Sequence, residues 1–358
     1  MRTLQYATGA YRGGGGVTSS NDGTGDSGEG SGESGEGIGE SGEQAAAAAV
    51  DPAEAFAALS DSLRVDILRT LATVHRERGA EPVGFADLRK RLGVRDSGRF
   101  RYHLNELRDH FVERTDDGYR LTNTGVEIVA AILAGTYTER GSMGPEPLDS
   151  ECPACGTSAV ARYEDGRCWV TCEQDHPLFA WSLPPAATAD AAVGEVVSLA
   201  ELTARQAIER GLAGVCPKCF APVDPEIVVE DEDEDDAVAA PTPGLRVGCA
   251  TCGGHLVGPV GFCLLVDPAV AAFYRRHDRP LDELHVWEPA FVADESTVSV
   301  AETDPLRVTV EVTLDDETLA VVVDESGQVA VTESEPVSVD ESGQVTVTES
   351  GPVSVDET

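Results

Sequence analysis

Three C-x-x-C pairs, Cys152/Cys155, Cys216/Cys219 and Cys249/Cys252, constrain the fold of this chain more than any other feature. Two cysteines with two residues between them fit one tight turn and can offer both thiolates to a single ion. Disulfides are the competing use. The first 16 residues contain no apolar signal-peptide core, so the nine cysteines read as reduced thiols of a cytoplasmic protein, and metal is favoured. The longest apolar run, Leu256–Val266, is broken by Gly258, Pro259 and Gly261. It is too short to span a membrane and reads as a buried core strand.

The first cysteine module is CPACGTSAVARYEDGRCWVTCEQDH. Cys152 and Cys155 form one knuckle. Cys172 lies across a hairpin signalled by Glu164-Asp165-Gly166, and His176 follows at C-x3-H. That is a Cys3His zinc set. Cys168 competes for the fourth place, and Asp175 is a weaker option. The second module pairs Cys216/Cys219 with Cys249/Cys252 as a zinc ribbon. The long separation is explained by EDEDEDDAVAAPTPG (230–244), an acidic surface loop. Thiolates suit Zn2+ better than Mg2+ or Ca2+, and an iron site is the minor alternative. Four ligands leave no open coordination position, so both zinc sites read as structural. Cys263, within VGFCLLV, reads as a small buried hydrophobe.

Charge separates the rest of the chain. The protein has 26 Lys+Arg against 64 Asp+Glu, a formal net of −38, and only two lysines, Lys90 and Lys218. This composition resembles that of a salt-in halophile. Such a surface repels nucleic acid in general. Residues 51–135 are the exception, and within 89–120 basic residues outnumber acidic ones. In molar salt, phosphate contacts lose affinity steeply, so a DNA reader there must rely on base contacts and shape.

The apolar period of Phe56, Leu59, Leu63, Ile67, Leu68 and Leu71 predicts two helical segments broken at Ser60–Ser62. A helix over Phe85–Leu92 ends at Gly93, and another begins at Ser97. A hairpin turns at Asp116-Asp117-Gly118, and Thr122 caps a last helix through Leu133. This order is that of a winged helix. In SGRFRYHLNELRDH, Phe100, Leu104 and Leu107 share the core stripe, and His103 beside it reads as a buried hydrogen-bonder. The opposite face carries Tyr102, Asn105 and Asp109, flanked by Arg101 and Arg108, with Arg95, Ser97 and Arg99 near the helix N-terminus. Arg pairs with guanine and Asn with adenine in the major groove. Arg114 and Arg120 flank the hairpin and are placed to hold phosphates.

Residues 52–135 resemble the ArsR-like winged helix-turn-helix regulators of archaea. The likeness rests on ALSDSLRVDILRTL, FADLRKRLGVRDSGRFRYHLNELRDHFV and DDGYRLTNTG. The whole chain resembles a haloarchaeal family with zinc-ribbon-like segments after this domain. The resemblance implies a dimeric transcriptional regulator that binds double-stranded DNA. Metal-sensing members use Cys or His on the recognition or terminal helix. Residues 51–135 contain no cysteine, which argues against sensing there.

The expected fold is α+β and multidomain: a winged helix-turn-helix, two small zinc-ribbon modules and a small αβ segment, with disordered termini. The boundaries are 1–50, a disordered Gly/Ser/Glu-rich leader; 51–135, the winged helix; 136–150, a linker; 151–183, ribbon 1; and 184–212, a helical connector. Ribbon 2 follows at 213–260, an αβ segment at 261–323 and an acidic tail at 324–358. Ser198 and Glu201 read as a capping box for the connector helix, which Gly211 would stop. Asp267-Pro268 starts another helix, with Val270, Phe273, Tyr274 and His277 on one face. Residues 291–323 alternate as a hairpin around Asp315-Asp316. The tail repeats DESGQVAVTESEPVSV as DESGQVTVTESGPVSV, matching at 14 of 16 positions, and reads as solvated.

No catalytic constellation is present, and the glycine-rich leader lacks the context of a phosphate loop. The expected function is sequence-specific transcriptional regulation without enzyme activity. One alternative is an adaptor that docks on the transcription machinery. Another is a metal- or redox-responsive regulator in which Cys168 exchanges with Cys172 or His176.

Overall fold

The computed structural model describes Leu4–Ala7 and residues 51–108, 110–138, 140–229, 242–336, 338–339 and 345–346. Most of the expected disordered leader, most of the acidic insert and most of the repeat tail lie outside the described residues. The architecture is mixed α and β, in two compact units: Tyr11–Leu133, and Met1–Ala10 with Ala134–Thr358. A short strand, β1 (Leu4–Ala7), belongs to the latter.

The first unit begins with α1 (Pro52–Ala57), capped by the Asp51 carboxylate and started by Pro52. The break falls where Ser60 turns its hydroxyl onto the Ala57 carbonyl. Asp61 then caps α2 (Ser62–Arg78), which buries Ile67, Leu68, Leu71 and Val74. Phe56, read as part of the same stripe, is 68% exposed. Next come α3 (Phe85–Arg91) and α4 (Ser97–Leu107). Asp96 caps α4 by accepting from the N–H groups of Arg99 and Gly98, which holds its carboxyl below the usual range. Phe100, Leu104 and Leu107 face the core as their spacing requires. His103 is also buried, with Nδ1 3.6 Å from the Asp61 carboxylate.

The hairpin of β2 (Val112–Arg114) and β3 (Tyr119–Leu121) gains a third strand position at Val83, which exchanges backbone hydrogen bonds with Tyr119. Gly118 is required at this junction. A Cβ there would lie 2.4 Å from the Val83 carbonyl oxygen, and its φ is +152°. Thr122 accepts from the Gly125 N–H and caps α5 (Asn123–Leu133).

The second unit is built on an eight-stranded sheet. Its first half is an antiparallel meander of β4 (Ser142–Glu151), β5 (Ser158–Glu164), β6 (Arg167–Cys172) and β7 (Pro177–Ser182). After α6 (Val193–Leu212), the second half is β8 (Pro225–Val229), β9 (Pro243–Gly248) and β10 (His255–Pro259). The order is β4-β5-β6-β7-β1-β10-β9-β8. Strand β1 joins the halves, parallel to β7 and antiparallel to β10. A buried 3-10 turn (Val260–Val266) leads to α7 (Pro268–Arg276) and the short α8 (Ala290–Ala293). A second sheet follows: β11 (Val298–Thr303), β12 (Leu306–Leu314), β13 (Glu317–Asp324) and β14 (Val329–Pro336), in sequence order.

Several expectations give way here. The two cysteine modules, the connector helix and the αβ segment share one continuous core from Cys152 to Val323. Part of the expected linker is β4. It is an edge strand, so Pro145 and Pro147 need not donate on both sides. Residues 4–7 of the leader form β1. Residues 329–336 of the expected tail form β14, also an edge, which accommodates Pro336. Leu256–Val266 is a strand only to Pro259. The capping box at Ser198/Glu201 does not form, because α6 begins five residues earlier. Val193, Val196, Val197, Ala200, Ala204 and Ile208 all bury on its inner face, and Glu195 accepts the Ala192 N–H at the true start.

Glu201 lies on that buried stripe and is 8% exposed. Its carboxylate accepts from His285 Nδ1 at 3.0 Å and from the Val286 N–H at 3.0 Å. Arg205, one turn on, donates to the Leu284 carbonyl. The His285 ring stacks on Trp287, whose indole N–H donates to Ser150 on β4. Ser150 in turn donates to Glu288. One helix, one loop and one edge strand are thereby clasped. Burial lowers the proton affinity of His285, but the Glu201 hydrogen bond and the charges of Glu201 and Glu288 outweigh it and raise the pKa.

A group raised in this way stabilises the fold fully below its unfolded pKa, and the contribution fades as pH rises through the folded pKa. Thermal melts should therefore show lower stability at about pH 8 than at about pH 6. Glu201→Gln should flatten that difference. Glu201→Ala should cost about 3–5 kcal/mol, since it strands buried donors, and chemical denaturation would measure it.

Candidate metal centres and a basic helix face

Each cysteine knuckle occupies a connection of the long sheet. Cys152 and Cys155 turn between β4 and β5, and Cys172 and His176 between β6 and β7. Cys216 and Cys219 lie between α6 and β8, and Cys249 and Cys252 between β9 and β10. The turns are alike in backbone. The N–H groups of Gly156, Phe220 and Gly253 donate to the carbonyls of Cys152, Cys216 and Cys249. These three residues are left-handed, with φ of +69°, +62° and +70°. Glycine takes this conformation freely, whereas Phe220 takes it at a cost of roughly 1–2 kcal/mol.

The donor atoms of Cys152, Cys155, Cys172 and His176 lie within 4.8 Å of one another, as do those of Cys216, Cys219, Cys249 and Cys252. Each set could hold a metal ion. The contacts are specific enough to test. Cys155 and Cys172 sulfurs are 3.7 Å apart, Cys216 and Cys252 3.7 Å, and Cys219 and Cys249 3.6 Å. Cys152 Sγ is 3.6 Å from His176 Nδ1. A tetrahedron with metal–sulfur bonds of about 2.3 Å has sulfur–sulfur edges of about 3.8 Å, and a sulfur–nitrogen edge of about 3.6 Å. The residues fit the geometry of a tetrahedral ion.

The electrostatics point the same way. Burial pushes the Cys172 thiol up, but the N–H groups of Gln174 and His176 outweigh it and bring it to about 6. The Cys252 and Thr251 N–H groups bring Cys249 to about 6 against burial. At Cys219 the Ala221 N–H favours the thiolate. Burial and the crowding of Cys252, Cys249 and Cys216 win and push it up to about 12. Thiolates so close repel until a cation joins them.

Cys168 is excluded from the first set by strand geometry. It lies four residues before Cys172 on β6, about 13 Å along an extended strand. It pairs across to Tyr163 and Trp181 inside the core. Burial first, and the charge of Glu201 second, push its thiol up to about 12. Asp175 is not in the set; its left-handed backbone, φ +61°, makes the turn that returns His176. Cys263 is fully buried within the 3-10 turn, as expected of a small hydrophobe. Thr157, which the sequence did not single out, places its hydroxyl 3.2 Å from Cys155 Sγ.

In the first unit, Arg95, Ser97, Arg99, Arg101, Tyr102 and Asn105 are all exposed. Tyr102 is 58% exposed rather than packed. The α4 core stripe fixes this by turning the other face outward. The Arg101 guanidinium lies over the Phe85 ring at 5.3 Å, and Phe85 packs edge-on against Phe100 at 5.1 Å. Arg114 and Arg120 are exposed on the hairpin, where Arg120 pairs across the strands with Glu113. No described helix is long and apolar enough to cross a membrane.

Replacing Cys216 by Ser should remove one equivalent of bound metal per chain and leave the other. Elemental analysis of parent and variant reads this directly. Cys168→Ser should leave the metal content unchanged. Acidification should release metal as protons compete for the thiolates.

Two family models match the chain, and their limits track its two units. Residues 52–132 match the domain of unknown function DUF7347. Residues 149–329 match the domain of unknown function DUF7351. No curated protein and no solved structure matches. The second match spans just over half of the 358 residues, from β4 through the start of β14, and the chain belongs to the DUF7351 family.

Proposed function

We propose that the protein is a sequence-specific DNA-binding transcriptional regulator. In this reading the first unit is a winged helix, α3 and α4 are its helix-turn-helix, and the β2–β3 hairpin is its wing. The observation that carries the reading is the outward face of α4, where Arg99, Arg101, Tyr102 and Asn105 stand exposed, as do Arg114 and Arg120 on the hairpin. Such a face stands apart in a chain of net charge −38 and offers a polyanion a local site that the acidic surface elsewhere does not. The N-terminal turns of α4 would enter the major groove, with Arg and Asn side chains on base edges. Arg114 and Arg120 would hold backbone phosphates.

The metal in both centres is proposed to be Zn2+. All-thiolate and Cys3His sets favour it, and a filled tetrahedron leaves no position for substrate. The ions would brace the connections of the long sheet and take no part in chemistry. A switch in which Cys168 replaces a ligand gains no support from its place in the core. The runner-up is an adaptor that docks on the transcription machinery. Its support is the exposed Phe220 at a knuckle tip, 68% accessible with Arg210 against its ring.

Selection of duplexes from a random pool by the full-length protein, in roughly 2 M KCl, tests the reading, since that salt suppresses purely phosphate-driven binding. An enriched motif is expected, and a palindrome would mark a homodimer. Arg101→Ala or Asn105→Ala should lower affinity for the selected site by about 1–3 kcal/mol and relax base preference at one position. Folded, metal-loaded protein that enriches nothing would turn the assignment to the adaptor.

A further inference from the structure

The first unit carries a cleft of about 580 Å3 between the end of α1, the start of α2 and the end of α4. Ser60 and Arg64 line one side, Asn105 and Arg108 the other, and His110 also borders it. The two arginines are incompletely satisfied. Arg64 reaches Glu106 at 3.4 Å and Ser60 Oγ at 3.3 Å, yet its Nε is buried without an acceptor. The Nε of Arg108 is buried without an acceptor too. Its guanidinium has no ion-pair partner among the described residues. A buried guanidinium donor without an acceptor is destabilising, and a ligand oxygen would relieve it.

We propose that this cleft binds a small metabolite bearing a carboxylate or phosphate group. A guanidinium presents parallel N–H donors that match the two oxygens of such a group. In the proposed complex the oxyanion would pair with the guanidinium groups of Arg64 and Arg108, which line the cleft, and a rotation of these long side chains would bring their Nε edges to it. The Asn105 amide and the Ser60 hydroxyl supply neutral donors. The volume is that of a small-molecule site, and the polar lining suits a hydrophilic ligand. A DNA backbone fits poorly because the cleft is concave; Glu54 and Glu106 also line it, a repulsion that Arg64 and Arg108 must outweigh for any anion. Asn105 belongs both to the cleft and to the outward face of α4, so an occupant would engage one of the proposed base-reading side chains. That coupling, unlike the site itself, rests on the DNA-binding reading.

The test is calorimetric titration of the full chain with inorganic phosphate, citrate and glutamate in turn, and with a short duplex, in roughly 2 M KCl. At least one small anion should bind at one per chain, and which one responds separates a phosphate ligand from a carboxylate. Arg108→Gln should weaken that binding by about tenfold or more, while Arg76→Gln, exposed in the last turn of α2, should bind as the parent does. Metal content and melting temperature report whether each variant is folded. Should Arg108→Gln fail to fold, Ser60→Ala carries the same expectation of weakened binding. Absence of saturable binding by all three anions overturns the proposal, as does equal binding by folded Arg108→Gln. A variant that loses only duplex affinity would make the cleft a phosphate-backbone contact instead. Anion binding without an enriched DNA motif would keep the site and remove the regulator reading.

Discussion

The second unit depends on the burial of one face of α6. Val193, Val196, Val197, Ala200, Ala204 and Ile208 give that helix an apolar stripe, and the same core takes in residues from both halves of the long sheet. The first half contributes Ala159, Ala161, Cys168 and Cys172 together with the large side chains of Tyr163, Phe179 and Trp181. The loop clasped to the helix through Glu201 adds Trp287 to that core and α8 adds Phe291, both fully buried. The two cysteine clusters lie at the strand ends of this sheet, where an ion held by each would brace the turns.

What was legible in the sequence was local. The C-x-x-C pairs, the hairpin at Asp116-Asp117-Gly118, the caps at Thr122 and Asp267, and the alternation of Val308 to Val323 are written within windows of a few residues. Their physical causes act over the same range: a tight turn, a side-chain cap, a two-residue pleat. His176 could not be separated from Cys168 by spacing, because the choice depends on which strand end is extended and how far.

The rest was set by contacts far apart in the chain. Strand β1 pairs residues 4–7 with 179–180 and 255–257, and no local pattern announces that. The segment from Ser142 looks like a linker by composition, and becomes a strand because β5 offers it an unpaired edge. Glu201 is the instructive case. A carboxylate four residues from Val197 and three before Ala204 stands on the apolar stripe, where a surface acid does not belong. The apolar period around it was the available signal, and the pull of a nearby Ser-x-x-Glu pattern concealed it.

The stacking of Arg101 on Phe85 has a thermodynamic consequence. A free arginine surrenders several rotatable bonds when a partner captures it. Here the guanidinium rests on an aromatic ring that is itself wedged against Phe100, so much of that freedom is given up during folding. The attraction of cation to ring acts at contact distance and is weakly screened, unlike the field of a distant phosphate. A side chain positioned by packing rather than by charge keeps its pose in concentrated brine, where an acidic surface like this one is best hydrated.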